Sequence, residues 1–282
     1  MLDLARPHLV ALLAAAAAGW AASGRRARAG LAGAAALAGL AGMPEAFLSP
    51  PREAGPDCAP LTVATANAYQ ANSELERLGE ALAAADADVL VVAEMTAAMA
   101  PLAARLGELY PWRTGAAAET CAAWRCLGLW SRLPFAAQAP ARSGMHPRHL
   151  LTAVQATPGT ALQVLAIHLG FPEMLEDYRP VPATARFRDD LAPPAVVLGD
   201  FNAPPWSGAV RRIGEATGTR AIPGYRPTWV GGGAAPLRLP AALGLSLDQI
   251  LVSPGVEVRG VSTFALPGSD HLGVRAELCL PR

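Results

Sequence analysis

The sequence predicts an α/β sandwich that follows an apolar N-terminal segment. Beyond about residue 60, short β-rich runs alternate with a few helical stretches, which favours stacked sheets and helices over a helical bundle. Apolar residues make up 52% and charged residues 16% of the 282 residues, and this composition excludes a disordered chain. Two uncharged stretches near the N-terminus are separated from the remainder by a proline-rich segment.

The N-terminal segment predicts a membrane hairpin over residues 1–48. Residues 7–24 and 29–44 contain no acidic residue, lysine or arginine, and the basic turn Arg25-Arg26-Ala27-Arg28 separates them. Two short apolar helices with a basic turn on the cytoplasmic side would leave the remaining chain facing the periplasm or the exterior of a bacterial inner membrane. A cleaved signal peptide over residues 1–23 is the alternative, and it also exports the remaining chain.

The segment 49–60 is rich in proline and polar residues and predicts a linker, so the folded domain would occupy 61–282. An amphipathic pattern predicts one helix at 74–85. Strands are predicted at 61–66, 88–93, 127–130, 151–156, 162–167, 195–198, 249–252 and 256–262.

Charge argues against nucleic acid as the main partner. The 23 basic residues are all arginine and balance 23 acids. Residues 1–56 hold five arginines and three acids, so 57–282 hold 18 arginines and 20 acids, a net charge of −2. No basic stripe that could follow a nucleic-acid backbone is visible in the sequence.

The four cysteines do not predict a zinc site, because none forms a Cys-x-x-Cys pair and no histidine cluster accompanies them. Cys121 and Cys126 are close enough in sequence to form a small disulfide loop in an exported domain. Two buried thiols are an equal alternative for this pair.

The strongest chemical signal is the run Val196-Val197-Leu198-Gly199-Asp200-Phe201-Asn202. It predicts a buried strand that delivers a carboxylate and a carboxamide at its carboxyl end. Because Asp200 and Asn202 are two residues apart, they point the same way on an extended backbone. Such a pair can activate a water molecule and hold a charged oxygen. A turn that merely uses Asp and Asn as turn formers would explain the run if it stood alone.

Other acid, amide and imidazole groups also stand at the ends of apolar runs. In an α/β protein such strand ends meet at one sheet edge, where sites form. These residues are Asn67, Glu94, His168, Asp248 and the triplet Ser269-Asp270-His271.

This ordered set of motifs resembles the endonuclease/exonuclease/phosphatase superfamily, which includes deoxyribonuclease-like and sphingomyelinase-like enzymes. The order is Asn after the first strand, Glu after the next, a Ser-Arg strand, a strand ending in His, Gly-Asp-Phe-Asn, Asp-x-Ile and Ser-Asp-His. The resemblance covers about residues 61–280, and the apolar N-terminal segment makes the chain most similar to the membrane-anchored bacterial branch. It implies a four-layer sandwich of two mixed β-sheets flanked by helices, and Mg²⁺-dependent cleavage of phosphate esters, with Mn²⁺ as the alternative metal.

The resemblance also implies roles for individual residues. Glu94 would be the principal metal ligand, with Asn67 and Asp270 beside it, while Asp200 would activate or orient the attacking water. Asn202 would hold a phosphate oxygen. His271, positioned by a hydrogen bond to Asp248, would contact the scissile phosphate, and His168 would face the phosphate from the opposite side. Tyr69 stands where nucleases of the family often carry an acid or another polar residue.

The predicted function is therefore a divalent-metal-dependent phosphoesterase acting on a phosphodiester or phosphomonoester. A membrane tether would place the site near a bilayer, which motivates a lipid-linked phosphate as substrate. The alternatives are an extracytoplasmic nuclease of the same fold and a catalytically inactive binding module. The complete set of polar residues argues against the inactive module.

Overall fold

A computed structural model describes residues 3–41, 43, 58–115, 126–136, 149–170, 191–232 and 238–281. The helices in these ranges are α1 (Arg6–Ala22), α2 (Arg26–Leu40), α3 (Leu75–Ala84), α4 (Ala100–Leu109) and α5 (Gly208–Thr217). The strands are β1 (Cys58–Asn67), β2 (Val89–Met95), β3 (Trp112–Gly115), β4 (Cys126–Ser131), β5 (His149–Thr157), β6 (Thr160–His168), β7 (Ala195–Asp200), β8 (Arg220–Ala221), β9 (Asp248–Val252), β10 (Glu257–Ala265) and β11 (Leu272–Pro281).

The strands form two mixed sheets. The first sheet has the order β10-β11-β1-β2-β4-β3, and the second has the order β5-β6-β7-β9-β8. Each sheet has one parallel pair near its centre, β1 with β2 and β6 with β7, whereas the other neighbours are antiparallel. Parallel neighbours end at the same edge of a sheet, so each sheet brings two strand ends together there.

The two sheets pack face to face over an apolar core. Val63 and Val91 of the first sheet and Val164 and Val196 of the second are completely buried in one cluster. Near-continuous runs of β-branched and other apolar residues form these strands because both faces of each sheet are covered.

Helices cover the outer face of each sheet. Leu78 of α3 and Leu106 of α4 pack with Leu90 of the first sheet, and Ile213 of α5 packs with Val197 of the second. The layers are therefore helices, first sheet, second sheet and helix, which confirms the predicted four-layer sandwich.

All eight predicted strands and the predicted helix are present, while α4, α5, β3, β8 and β11 were not predicted. Of the strands that were not predicted, β11 is the most important, because it lies beside β1 inside the first sheet. Its apolar residues are interrupted by Arg275 and Glu277, which pair with each other at 2.6 Å. Their charge hides the strand pattern in the sequence.

The predicted apolar helices at the N-terminus are present as α1 and α2, but the prediction of two transmembrane helices is not supported. At 17 and 15 residues, these helices are about 26 and 23 Å long, shorter than a bilayer core of about 30 Å. Across the described ranges, no helix combines the length and the apolar character needed to cross a membrane.

The N-terminal segment contacts the sandwich. Trp206 donates its indole N–H to the Asp3 carbonyl oxygen at 2.8 Å, and the His8 and Tyr225 rings meet edge to face with centroids 6.4 Å apart. Most of the predicted linker 49–60 lies outside the described residues. Its last three residues, 58–60, belong to β1.

A disulfide joins Cys58 at the start of β1 to Cys279 near the end of β11, with Cα atoms 5.4 Å apart. This pairing was not predicted, because 221 residues separate the two cysteines and only the antiparallel register of β1 and β11 brings them together. Cys126 is also disulfide-bonded, so the alternative of a buried thiol is wrong there. Its predicted partner, Cys121, lies outside the described residues.

Candidate active site

One edge of the two sheets gathers all of the polar residues that the sequence singled out. Within the second sheet, His168 at the end of β6 is the register partner of Asp200 at the end of β7, and Asp200 is the register partner of Asp248 at the start of β9. The first sheet contributes residues at the ends of β1 and β2 and just before β11. The predicted residues at this edge are Asn67, Glu94, His168, Asp200, Asn202, Asp248, Asp270 and His271.

Asn67 links the two sheets. Its side-chain nitrogen donates to Glu94 Oε1 and to Asp200 Oδ2, each at 2.9 Å. Its oxygen accepts a hydrogen bond from the Tyr69 N–H at 2.9 Å, which fixes the orientation of the amide. Asn67 thus holds the two carboxylates together, and its oxygen keeps a second lone pair, so its predicted role as a metal ligand stays a prediction.

Glu94, His168 and Asp200 form a compact group with ligand atoms within 4.8 Å of one another. His168 Nε2 lies 3.8 Å from Glu94 Oε1 and 3.8 Å from Asp200 Oδ2. The second Glu94 oxygen accepts from the Gln70 N–H at 3.0 Å. Two nearby carboxylates are donors that suit a hard divalent cation such as Mg²⁺, so this donor set fits the metal that the sequence predicts.

The Asp200 carboxylate is 1% exposed. Burial, reinforced by the negative charge of Asp248, raises its pKa to about 7. The His271 charge and the hydrogen bonds from the Asn202 N–H and from Asn67 oppose this rise. A carboxylate with such a pKa can accept a proton from water near neutral pH.

His271 and Asp248 form a buried pair, with 2.8 Å between His271 Nδ1 and Asp248 Oδ2. Burial alone would lower the pKa of His271, but the charge and hydrogen bond of Asp248, together with the charges of Asp200 and Asp270, raise the pKa to about 10. His271 is therefore an imidazolium at neutral pH. Its Nε2 lies 4.0 Å from Asp200 Oδ2, so the positive charge faces the reacting edge.

Asn202 orients Asp200. Its backbone N–H donates to Asp200 Oδ1 at 2.8 Å, and its side-chain nitrogen donates to the Leu169 carbonyl oxygen at 2.7 Å. The loop after β7 is thereby tied to the end of β6. The predicted contact between Asn202 and a phosphate oxygen stays a prediction.

Two groups of ligand atoms lie within 4.8 Å of one another among the described residues, Glu94–His168–Asp200 and Asp200–Asp248–His271, and Asp270 belongs to neither. Its Oδ2 accepts the Trp229 indole N–H at 3.0 Å, and burial raises the pKa of its carboxyl group. Its predicted place beside the metal stays a prediction.

Backbone strain is concentrated at this edge. Four non-glycine residues of the described ranges have positive φ, and Tyr69, Glu94 and Asn202 are three of them, at 60°, 58° and 47°. Such conformations cost about 1–3 kcal/mol each and persist where the surrounding structure requires them, often at functional sites. At Gly199, φ is 143° and a Cβ would collide with the Ile167 carbonyl oxygen.

Three supporting residues lie outside the predicted catalytic and metal-binding set. Asn72 is buried and donates to the Ala68 and Pro267 carbonyl oxygens, at 3.0 and 2.9 Å, which joins the segment directly after β1 to the loop that precedes His271. Thr228 and Trp229 hold Asp248 and Asp270 from a separate loop. No local pattern marks these residues, because their partners are far away in sequence.

Solved structures with this fold include that of TDP2 from D. rerio complexed with a single-strand DNA product. Its TM-score is 0.59 and its sequence is 17% identical, over 78% of this chain and 99% of that chain. Sphingomyelinase C from Streptomyces griseocarneus has a TM-score of 0.54 and 17% identity over 77% of this chain and 99% of that chain. A beta toxin mutant from Staphylococcus aureus with bound magnesium ions has a TM-score of 0.55 and 14% identity over 77% of this chain and 98% of that chain. At these identities the likeness shows the fold alone.

No curated protein matches the chain. A model of the endonuclease/exonuclease/phosphatase family matches residues 64–271, which span all eight predicted site residues. This match covers well over half of the sequence and agrees with the two-sheet sandwich and with the polar edge described above. The chain therefore belongs to the endonuclease/exonuclease/phosphatase family.

Proposed function

We propose that this protein is a divalent-metal-dependent phosphoric ester hydrolase. Members of the family hydrolyse phosphodiester and phosphomonoester bonds with metals. The main support for the proposal is that the Glu94 and Asp200 carboxylates and the His271–Asp248 pair lie together at one sheet edge. Such a hydrolysis needs carboxylates that bind a cation and a positively charged donor that binds a phosphate oxygen. The two carboxylates and the imidazolium of His271 are suited to these two tasks.

In this proposal Glu94 and Asp200, with His168 beside them, hold Mg²⁺ or Mn²⁺, which when bound neutralises charge on the phosphoryl oxygens. Asp200 orients the attacking water. His271 donates a hydrogen bond from Nε2 to a phosphoryl oxygen, and Asp248 keeps the ring charged and aligned. Asn67 and Asn202 hold the Asp200 carboxylate from both sides.

We propose that the enzyme works outside the cytoplasm. Support comes from the Cys58–Cys279 disulfide and from the disulfide of Cys126, because such bonds persist in oxidising compartments. The periplasmic or outer side of a bacterial cell membrane satisfies this condition.

The α1–α2 hairpin supports a further proposal, that the protein associates with an anionic lipid surface and acts on a lipid-linked phosphate. Five of the eight exposed large apolar side chains of the described residues are leucines of this hairpin, and a cluster of exposed arginines marks its turn. Apolar side chains and basic residues together favour binding to anionic bilayers. The residues are Leu9, Leu12, Leu31, Leu37, Leu40, Arg25, Arg26 and Arg28.

Hydrolysis by the purified full-length chain tests the function. The substrates are bis(p-nitrophenyl) phosphate, p-nitrophenyl phosphate, plasmid DNA and phospholipid vesicles, each with Mg²⁺ and with EDTA. We expect turnover that requires the metal and that His271→Ala abolishes. Asp86→Asn, a change in an exposed carboxylate remote from the site, should leave turnover unaltered. Turnover in EDTA, or a fully active His271→Ala variant, would refute the proposal.

The preferred substrate then decides between the lipid and nuclease alternatives. Preference for vesicles, together with co-flotation of protein and anionic vesicles, supports the lipid proposal. Preference for DNA, with affinity that falls steeply as salt rises, supports the nuclease. A folded chain that hydrolyses none of the four substrates supports the inactive binding module.

A further inference from the structure

Thr228 lies between the two strands that carry the His271–Asp248 pair. It is completely buried. Its backbone N–H donates to the Leu245 carbonyl oxygen at 2.8 Å, just before β9, and its carbonyl oxygen accepts from the Leu272 N–H at 2.6 Å, at the start of β11. Thr228 therefore fixes the separation of the strand ends from which Asp248 and His271 project.

The Thr228 hydroxyl binds the backbone of Asp248 directly. Its Oγ1 accepts hydrogen bonds from the Leu247 N–H at 3.1 Å and from the Asp248 N–H at 3.0 Å. Both donors are buried, so the loss of this acceptor would leave them unsatisfied or force the start of β9 to move.

The Asp248 side chain depends on this backbone support. Asp248 Oδ2 contacts His271, but Asp248 Oδ1 is buried and has no hydrogen-bond partner in the part of the chain that the structure describes. Among the described residues, His271 is the only side chain that forms a hydrogen bond with this carboxylate, so its position depends on the Asp248 backbone. Because misplacement by about 1 Å can cost about 100-fold in rate, the position of the Asp248 N–H matters to the reaction.

We infer that Thr228 is a positioning residue that sets the geometry of the His271–Asp248 pair through its hydroxyl group. This inference rests on the proposed function of that pair. Thr228 acts through Asp248 and touches no reacting atom. The adjacent Trp229 does the same for Asp270 through its indole N–H, so one short loop supports both acids.

The test compares Thr228→Val, which keeps the shape but removes the acceptor, with Thr228→Ser, which keeps the hydroxyl. We expect Thr228→Val to lower kcat by about 10- to 100-fold with little change in KM, and Thr228→Ser to retain most of the activity. Thr217→Val is the matched control, because Thr217 is also a buried hydroxyl with protein partners but lies at the far end of α5. It should leave kcat unchanged. If Thr228→Val does not fold, Thr228→Ala replaces it.

A double-mutant cycle separates positioning from general stability. In an Asp248→Asn background, Thr228→Val should have little further effect on kcat, because the interaction that it serves is already lost. An equal effect of Thr228→Val in both backgrounds would overturn the inference, and so would full activity of Thr228→Val in the wild-type background.

Failure of this inference is distinguishable from failure of the proposed function. Wild-type turnover with an unaltered Thr228→Val refutes only the positioning role, whereas absence of wild-type turnover refutes the function. The His271 Nδ1–H resonance in proton NMR reports its bond to Asp248 whether or not the protein turns over. We expect this resonance to shift or broaden in Thr228→Val, and an unchanged resonance would overturn the inference.

Discussion

His271 Nδ1 lies 2.8 Å from Asp248 Oδ2, while its other ring nitrogen lies 4.0 Å from Asp200 Oδ2. One imidazole thus connects a buried acid that holds it to a second acid at the reacting edge. Asp200 and Asp248 belong to strands of the second sheet, and His271 directly precedes β11 of the first sheet, so the site exists only when the sandwich is assembled.

Asp248→Asn should lower kcat by about 10²- to 10⁴-fold, because a neutral amide no longer stabilises the imidazolium and the pKa of His271 falls. The measurement is metal-dependent turnover of the preferred phosphoester by the full chain, with circular dichroism to show that the variant is folded. Asp86→Asn is the control, because Asp86 is an exposed carboxylate paired with Arg132 away from the site. An Asp248→Asn variant with wild-type kcat would contradict the role of the pair.

Asp200→Asn should raise the thermal stability of the metal-free protein at pH 8 while abolishing turnover. The pKa of Asp200 is about 7 in the folded protein and 3.8 as its ordinary value. The folded state therefore binds a proton that the unfolded state lacks between about pH 4 and 7, and stability falls as pH rises through this window. The gain in the free energy of unfolding from Asp200→Asn should be largest above pH 7 and vanish below pH 4.

Melting temperatures in EDTA, measured from pH 4 to pH 8, check this dependence. Added Mg²⁺ should then give the wild type a higher melting temperature than Asp200→Asn, because a bound cation stabilises only the charged Asp200. A gain that is the same at pH 4 and pH 8 would contradict the buried charge as its cause.

Gly199→Ala should destabilise the fold strongly. At φ 143° the added Cβ would meet the Ile167 carbonyl oxygen, which is backbone and cannot move without separating β6 from β7. Gly218→Ala is the matched control, because Gly218 also has positive φ, at 65°, but has open space around its Cα. Urea unfolding should show a cost of about 1 kcal/mol for the control and at least twice that for Gly199→Ala. Equal costs would contradict the steric explanation.

Removing the Cys58–Cys279 disulfide with Cys58→Ala/Cys279→Ala should lower the free energy of unfolding by up to about 5 kcal/mol, since the bond closes a loop of 221 residues. The bond lies at the opposite end of β1 from Asn67, so kcat at moderate temperature should not change. Unfolding curves and kcat of the double variant check both parts. A loss of kcat without a loss of stability would contradict this assignment.

Much of the candidate site could be predicted because Asn67, Glu94, His168 and Asp200 stand at or near the ends of long apolar strands and Asp248 stands at the start of one. Asp270 and His271 precede a strand that was not predicted, and only the Ser-Asp-His motif indicated them. Glu94 stands near the end of β2 and Asp200 at the end of β7. A polar residue at the end of an apolar run can be recognised from the sequence without knowledge of the tertiary fold. The same reasoning explains seven of the eight correct strands, whose apolar runs are largely buried, whereas β10 is an edge strand that is mostly half-buried or exposed.

The rest depends on contacts between distant parts of the chain. Thr228 lies 20 residues from Asp248 and Trp229 lies 41 residues from Asp270, and neither stands in a strand pattern. Cys58 and Cys279 meet only because β11, which was not predicted, pairs with β1. The helices α1 and α2 were recognised, but their lengths of 17 and 15 residues could not be read from composition.

The central claim is that Glu94 and Asp200 hold a divalent cation that phosphoester hydrolysis requires. The most direct measurement is the rate of bis(p-nitrophenyl) phosphate hydrolysis against Mg²⁺ concentration, for the wild type and for Glu94→Gln. We predict that the wild type is active only with Mg²⁺ and that Glu94→Gln requires at least about tenfold more Mg²⁺ for half-maximal rate. Hydrolysis by the wild type in EDTA, or the same Mg²⁺ requirement in both proteins, would contradict the claim.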